Sequence, residues 1–117
     1  MTARRRALGQ AGEELAVEWY ATRGWEVLER NWRVREGELD VIAWRHGILA
    51  VCEVKTRTSD AFGTGAEAVT WRKQQRIRLL AARYLASWPA GRPRPRELRF
   101  DVASVTARRV EMIEAAF

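Results

Sequence analysis

The sequence predicts a single α/β domain, and three observations lead to that expectation. The chain has 117 residues, which is enough for one hydrophobic core and too few for two. Its 47% hydrophobic and 31% charged residues are typical of a soluble globular protein. Apolar residues recur first with helical spacing, then in alternation, and then with helical spacing again. We therefore expect a helix, three strands, a second helix and one or two closing strands, in one domain spanning residues 1–117.

The first helix is predicted between Gly9 and Arg23, with Gly24 as its stop. Five small or apolar residues on one stripe of this helix are expected to face the core. They are Ala11, Gly12, Leu15, Ala16 and Trp19. Residues 1–8 precede the helix and contain Arg4, Arg5 and Arg6, so we expect them to form a basic N-terminal arm.

Three strands are predicted after the first helix, in the stretches "WEVLERNWRV", "GELDVIAW" and "ILAVCEVKTR". His46 and Gly47 lie between the second and third stretches, where a tight hairpin turn is expected. Side chains alternate between the faces of a strand, so Glu53, Lys55 and Arg57 share one face of the third strand. This face carries charge in the middle of an otherwise apolar run, which a purely structural strand does not require.

The second half of the chain begins with a predicted loop, "TSDAFGTGAEAV". Thr70 is expected to cap a second helix that runs to about Trp88, where Pro89 ends it. The apolar face of this helix comprises Ile77, Leu80, Ala81, Tyr84, Leu85 and Trp88. The stretch "AGRPRPR" is a connector, and "ELRFDVASV" and "RVEMIEAAF" are either two closing strands or a strand and a tail.

The low counts of cysteine and histidine, and the shortness of the apolar runs, exclude several classes of protein. The single cysteine, Cys52, excludes an internal disulfide, and with one histidine, His46, no Cys/His zinc site can be assembled. The basic start is not followed by an apolar stretch of signal-peptide length, and no run approaches the length that spans a bilayer. We expect a cytoplasmic protein.

The positive charge is concentrated in one part of the sequence. The net charge is +6, and the pI is about 10.6. Between Ala68 and Arg96 there are eight basic residues and no acidic ones, which favours a polyanionic partner over a merely solvated basic face. No base-reading motif is present, so we expect nucleic acid to be held through its phosphates. The residues assigned to this contact are Arg72, Lys73, Arg76 and Arg57.

The hairpin predicts a pair of carboxylates. A turn at His46 and Gly47 places Asp40 opposite Glu53, with the roots of their side chains about 5 Å apart. Opposed like charges destabilise a sheet unless something positive lies between them, and Mg²⁺ is suited to such a pair. Lys55 lies on the same face as Glu53 and could orient or deprotonate an attacking water. Alternatively, Glu53 and Lys55 form a cross-strand ion-pair network with Asp40 and Arg57.

Several separated stretches resemble one family of small bacterial proteins. They are "GQAGEELAVEWYATRGWEVLERNWRVREGELDVIA", "VCEVKTRTSDAFGTGAEAVTWRKQQRIR", "RFDVASV" and the final "EAAF". In these stretches the chain resembles the YraN-type family, which belongs to the restriction-endonuclease-like (PD-(D/E)xK) nuclease superfamily and is similar to archaeal Holliday junction resolvases. The resemblance implies a restriction-endonuclease-like α/β domain, with helices flanking a central mixed sheet in the order α-β-β-β-α-β-β.

The same resemblance implies an active site at one edge of the sheet. Asp40 in "GELD" matches the metal-binding aspartate, and Glu53 and Lys55 in "EVK" match the Glu-x-Lys pair. Glu13 in "GQAGEE" matches a helix glutamate that resolvase-like members add to the metal site. Gln74 in "RKQQR" matches a polar residue on the following helix; from the residues alone, it could equally be a first-turn side chain satisfied by backbone or water.

The residue patterns and the resemblance together predict a DNA endonuclease that depends on Mg²⁺ or Mn²⁺ and hydrolyses phosphodiester bonds. The similarity to Holliday junction resolvases implies branched or structured DNA as its substrate. The resolvase similarity also suggests a homodimer. The alternative is a noncatalytic module on a nuclease fold that binds nucleic acid or a partner. Trp71, among the basic residues of the second helix, is either a stacking platform for an unpaired base or a packing residue.

Overall fold

A computed structural model describes residues 3–57 and 69–117, with side chains described from Gly9 onward. Its elements are α1 (Ala3–Ala21), β1 (Glu26–Val34), β2 (Gly37–Arg45), β3 (Ile48–Arg57), α2 (Trp71–Ala86), β4 (Glu97–Thr106) and β5 (Arg109–Ile113). The predicted element order and the small α/β class are confirmed. The predicted loop after β3 lies outside the described residues, apart from Val69.

The five strands form one mixed sheet in the order β1-β2-β3-β4-β5. Only β3 and β4 are parallel; the other three neighbouring pairs are antiparallel. A parallel pair needs a crossover connection, and the segment containing α2 supplies it. The carboxyl end of β3 therefore lies where the chain leaves the sheet towards α2. This end carries the charged half of β3.

Each helix covers one face of the sheet. On one face α2 contributes Ile77, Leu80 and Ala81 to a core that includes Leu49 and Val51 of β3. On the other face α1 packs against a second apolar cluster that contains Val41, Ala43, Ala50 and Cys52. The central strand β3 is thus buried on both sides, which explains its continuous apolar start.

The hairpin between β2 and β3 has the predicted turn and register. His46 and Gly47 have φ angles of 50° and 80°, as a two-residue turn with two left-handed positions requires. Arg45 pairs with Ile48, and the ladder continues to Val41 and Cys52. It stops one pair before Asp40 and Glu53, because the Asp40 side chain itself accepts the backbone N–H of Val54 at 2.9 Å.

The first helix differs from the prediction in its start and its buried stripe. It begins at Ala3 rather than Gly9, since the intervening alanines, arginines and leucine are strong helix formers. The buried positions are Gly12, Ala16 and Tyr20, whereas Ala11 is exposed and Leu15 is only partly buried. A Cβ at Gly12 would collide with the hydroxyl of Thr56, so this glycine lets α1 approach β3 closely.

A buried polar network joins α1, β4 and the C-terminal segment. Asp101 is fully buried and accepts a hydrogen bond of 2.5 Å from the Tyr20 hydroxyl. Arg99 donates to both of its oxygens at 2.9 Å, and the Ala115 backbone N–H donates at 3.0 Å. After β5 the chain is a tail, with the Phe117 ring stacked 5.2 Å from that of Phe100. Within the described ranges, no helix combines the length and apolar character needed to cross a membrane.

Candidate functional site

The candidate site is centred on Glu53, near the carboxyl end of β3 and beside the first turn of α2. Glu53 is only 8% exposed although it is charged. Its Oε1 atom lies 2.7 Å from Lys73 Nζ and 3.7 Å from Lys55 Nζ. Two ammonium groups therefore compensate one buried carboxylate. Lys55 reaches it from the same strand, and Lys73 reaches it from α2.

The Asp40 carboxyl group lies within electrostatic reach of this cluster. Burial, and next the charge of Glu53, raise the pKa of Asp40 to about 7, and Glu13 and Glu38 act in the same direction. The hydrogen bond from the Val54 N–H opposes the increase, because it favours the charged carboxylate. Asp40 and Glu53 thus lie close enough for their charges to repel each other, as the register predicted. They do not form a backbone-paired position of the β2–β3 ladder, which ends at Val41 and Cys52.

The two lysines at the site are perturbed in opposite directions. Partial burial, together with the neighbouring ammonium of Lys73, lowers the pKa of Lys55. Burial also acts to lower the pKa of Lys73, but contact with Glu53 outweighs it and raises that pKa. Lys73 therefore keeps its positive charge beside Glu53, whereas Lys55 releases its proton more readily than Lys73.

Glu13 and Gln74 occupy different surroundings. The Glu13 carboxylate accepts a hydrogen bond of 2.9 Å from the Asn31 side chain, and its charge is felt at Asp40. The Gln74 amide nitrogen donates to the carbonyl of Val69 at 3.1 Å, so this group satisfies the backbone before α2. Across the described residues, no group of three or more His, Cys, Asp or Glu side chains is arranged to hold a metal ion.

Five of the arginines in the basic region divide into two groups. Arg78 stacks on Phe100, Arg83 pairs with Glu36, and Arg92 pairs with Glu26. Within the part of the chain that the structure describes, Arg72 and Arg76 are exposed and have no such partner. Their positions on α2 leave them available to an external anion.

Arg57 and Lys73 complete the set predicted to bind nucleic acid. Arg57 is partly buried at the end of β3, in register with Thr106 of β4. Beside this end of the sheet, Ser104, Thr106, Arg109 and Glu111 line a polar depression of about 290 Å³. Lys73 points inward to Glu53, which the basic pattern did not indicate. Lys73 lies in the first turn of α2, which begins beside β3. The sequence could have suggested its contact with Glu53 only if the path of the chain from β3 to α2 had been known.

The fold and the site define a small α/β protein with a five-stranded mixed sheet and a charged cluster near the carboxyl end of its central strand. The chain belongs to the Uncharacterised protein family UPF0102, whose model matches residues 12–105. This is the YraN-type family to which the motifs pointed.

Relatives from several bacteria resemble most of the chain. A UPF0102 protein of Frankia alni is 48% identical over 116 residues, covering 95% of this chain and 94% of the relative. A UPF0102 protein of Kineococcus radiotolerans is 50% identical over 100 residues, covering 86% and 80%. One of Thermodesulfovibrio yellowstonii is 38% identical over 110 residues, covering 94% and 95%. The names of these relatives state the family alone.

Proposed function

We propose that the protein is a cytoplasmic, divalent-metal-dependent DNA endonuclease with a restriction-endonuclease-like fold, acting on branched or structured DNA. The observation that carries this proposal is the joint placement of Asp40, Glu53 and Lys55 beside the carboxyl end of β3. Glu53 is nearly buried, and the pKa of Asp40 is raised first by its own burial and next by the charge of Glu53. A fold stabilised only by packing has no need for two carboxylates there.

The donor set suits Mg²⁺ or Mn²⁺. Mg²⁺ is commonly bound by one or two carboxylates together with waters and substrate phosphate oxygens, so two carboxylates are sufficient. Asp40 and Glu53 would hold the ion, and Glu13, whose charge reaches Asp40, would support it. A bound divalent cation would supply Lewis-acid stabilisation of the charge that develops on the phosphoryl oxygens.

The chain's own residues would then perform three tasks. Lys55, whose pKa is lowered, would accept a proton from the attacking water or orient that water. Lys73 holds Glu53 in place through its 2.7 Å contact. Its positive charge would stabilise the charge that develops on the scissile phosphate. The exposed Arg72 and Arg76 would bind flanking phosphates without reading sequence.

One observation favours the second candidate, a noncatalytic module that binds nucleic acid or a partner. Glu53 already has two lysine neighbours, as an ion-pair network with a structural role would have. The two candidates share a fold, and only their chemistry separates them.

The test is a cleavage assay over linear, nicked, flapped and four-way-junction DNA, each with Mg²⁺, Mn²⁺ or chelator. If the protein is the proposed endonuclease, we expect metal-dependent cleavage that is strongest on one of the branched substrates and absent in chelator. Binding without cleavage under every metal condition would instead support the noncatalytic module.

A further inference from the structure

The outer face of α2 carries exposed apolar side chains beside exposed arginines. Trp71 and Leu79 are each 73% exposed, and exposed apolar side chains that share one face can mark an interaction surface. Residues 71, 75 and 79 follow one another at intervals of four, so they form one row along the helix. Trp71 is therefore not a packing residue of the core, which was one of the two roles predicted for it from the sequence.

A groove of about 530 Å³ runs along the same face, within the size range of ligand sites. Leu79 and Leu80 provide its apolar lining, and Arg72, Arg76 and Arg83 provide positive charge around it. Its one acidic lining residue, Glu36, is paired with Arg83. The groove thus presents an apolar surface bordered by two arginines that have no partner among the described residues.

This combination favours one kind of occupant. An aromatic platform next to a positively charged groove is the arrangement that binds single-stranded nucleic acid, since bases stack on the ring and phosphates contact the arginines. A second copy of this chain would bring the same three arginines to the groove and be repelled. The interior of a DNA duplex could use the arginines but would present no free base face to Trp71.

We infer that the outer face of α2 binds an unpaired DNA strand, with Trp71 stacking on a base and Arg72 and Arg76 contacting its phosphates. This inference rests on the proposed function, since it names the feature of branched DNA that is recognised. The first turn of α2 connects the two regions: Lys73 points to Glu53, whereas Trp71 and Arg72 are exposed. An unpaired strand held on α2 would therefore lie beside the candidate cleavage site.

The test measures DNA binding in chelator, so that cleavage plays no part. Fluorescence anisotropy would compare a labelled oligothymidylate, an abasic oligomer of equal length and a blunt duplex. Wild type should prefer the oligothymidylate to the abasic strand. Trp71→Ala should weaken oligothymidylate binding about fivefold or more and remove that preference, whereas Trp71→Phe should retain most of it. Arg94→Gln, an exposed charge change in the connector, should leave the preference unchanged.

Three results would overturn the inference: equal binding of the abasic and base-bearing strands, an unchanged preference in Trp71→Ala, or equally strong competition by polyglutamate of matched charge. The last result would assign the groove to an acidic protein partner. Because binding and cleavage are measured separately, a protein that cuts blunt duplex without preferring unpaired bases refutes this inference alone. Loss of cleavage on every substrate, with the base preference intact, refutes only the proposed function.

Discussion

Asp40 is a carboxylic acid in surroundings that oppose its charge, and this has a consequence for stability. Its folded-state pKa of about 7 lies above the ordinary aspartate value of about 4. As the pH rises through this window the unfolded chain ionises first, so the folded state loses stability relative to it. The loss should be complete once the pH exceeds the folded-state pKa.

Asp40→Asn should remove this pH-dependent penalty. The asparagine oxygen can still accept the Val54 N–H, and the repulsion from Glu53 disappears. In chelator the variant should be at least as stable as wild type. Its advantage in free energy of unfolding should grow between pH 5 and pH 8 to the order of a few kcal/mol. Thermal melts across that range measure it, with Glu14→Gln, an exposed helix carboxylate, as the control. Parallel stability curves for Asp40→Asn and wild type would contradict the assigned surroundings of Asp40.

At the scale of elements, the segments that alternate or repeat strongly were predicted well. The strands, the His46-Gly47 turn and the Thr70 cap of α2 follow from local rules, and Thr70 does accept the Lys73 N–H. The buried stripe of α1 was predicted less well, because Tyr20 is buried to reach Asp101, which lies 81 residues away in sequence. A partner so distant leaves no local signal.

The candidate site shows the same division. The hairpin register placed Asp40 near Glu53, since a two-residue turn fixes which residues oppose each other. The contact of Lys73 with Glu53 depends on how α2 packs over β3, which no spacing in the sequence encodes. The basic run likewise could not reveal that Arg78 and Arg92 stack on aromatic rings, a contact that the exposed Arg72 and Arg76 lack among the described residues.

That division of the arginines gives a prediction for α2. Arg72→Gln combined with Arg76→Gln should weaken binding to DNA of any sequence and should reduce the slope of log affinity against log salt by about two. Folding should be unaffected, because both side chains are exposed. Affinities measured over a salt series test this, and Arg23→Gln with Arg94→Gln serves as a control of equal charge. If both double variants changed the slope equally, the contact would be nonlocal and α2 would not be the DNA-binding element.

At the scale of the whole molecule, the Asp101 network connects α1 and the C-terminal segment to the sheet. Tyr20→Phe would remove one hydrogen-bond donor from a fully buried carboxylate while preserving the ring. We expect a loss of about 1–3 kcal/mol in the free energy of unfolding, since part of a buried charge is left uncompensated. Urea unfolding of the variant and of Tyr84→Phe, a tyrosine on the opposite helix, would measure the effect. Equal stability of Tyr20→Phe and wild type would show that Arg99 and Ala115 satisfy Asp101 without Tyr20.

The central claim is that the Asp40 and Glu53 carboxylates and Lys55 together perform metal-dependent phosphodiester cleavage. The measurement that tests it most directly is the rate of Mn²⁺-dependent cleavage of a labelled branched DNA by wild type, Asp40→Asn, Lys55→Ala and the control Glu14→Gln. We predict cleavage by wild type and Glu14→Gln, and at least a hundredfold loss in the other two variants. Lys55→Ala removes the proposed proton-transfer group, for which about a hundredfold is the lower end, and Asp40→Asn removes a proposed metal ligand. Equal rates in all four proteins, or no cleavage by wild type, would contradict the claim.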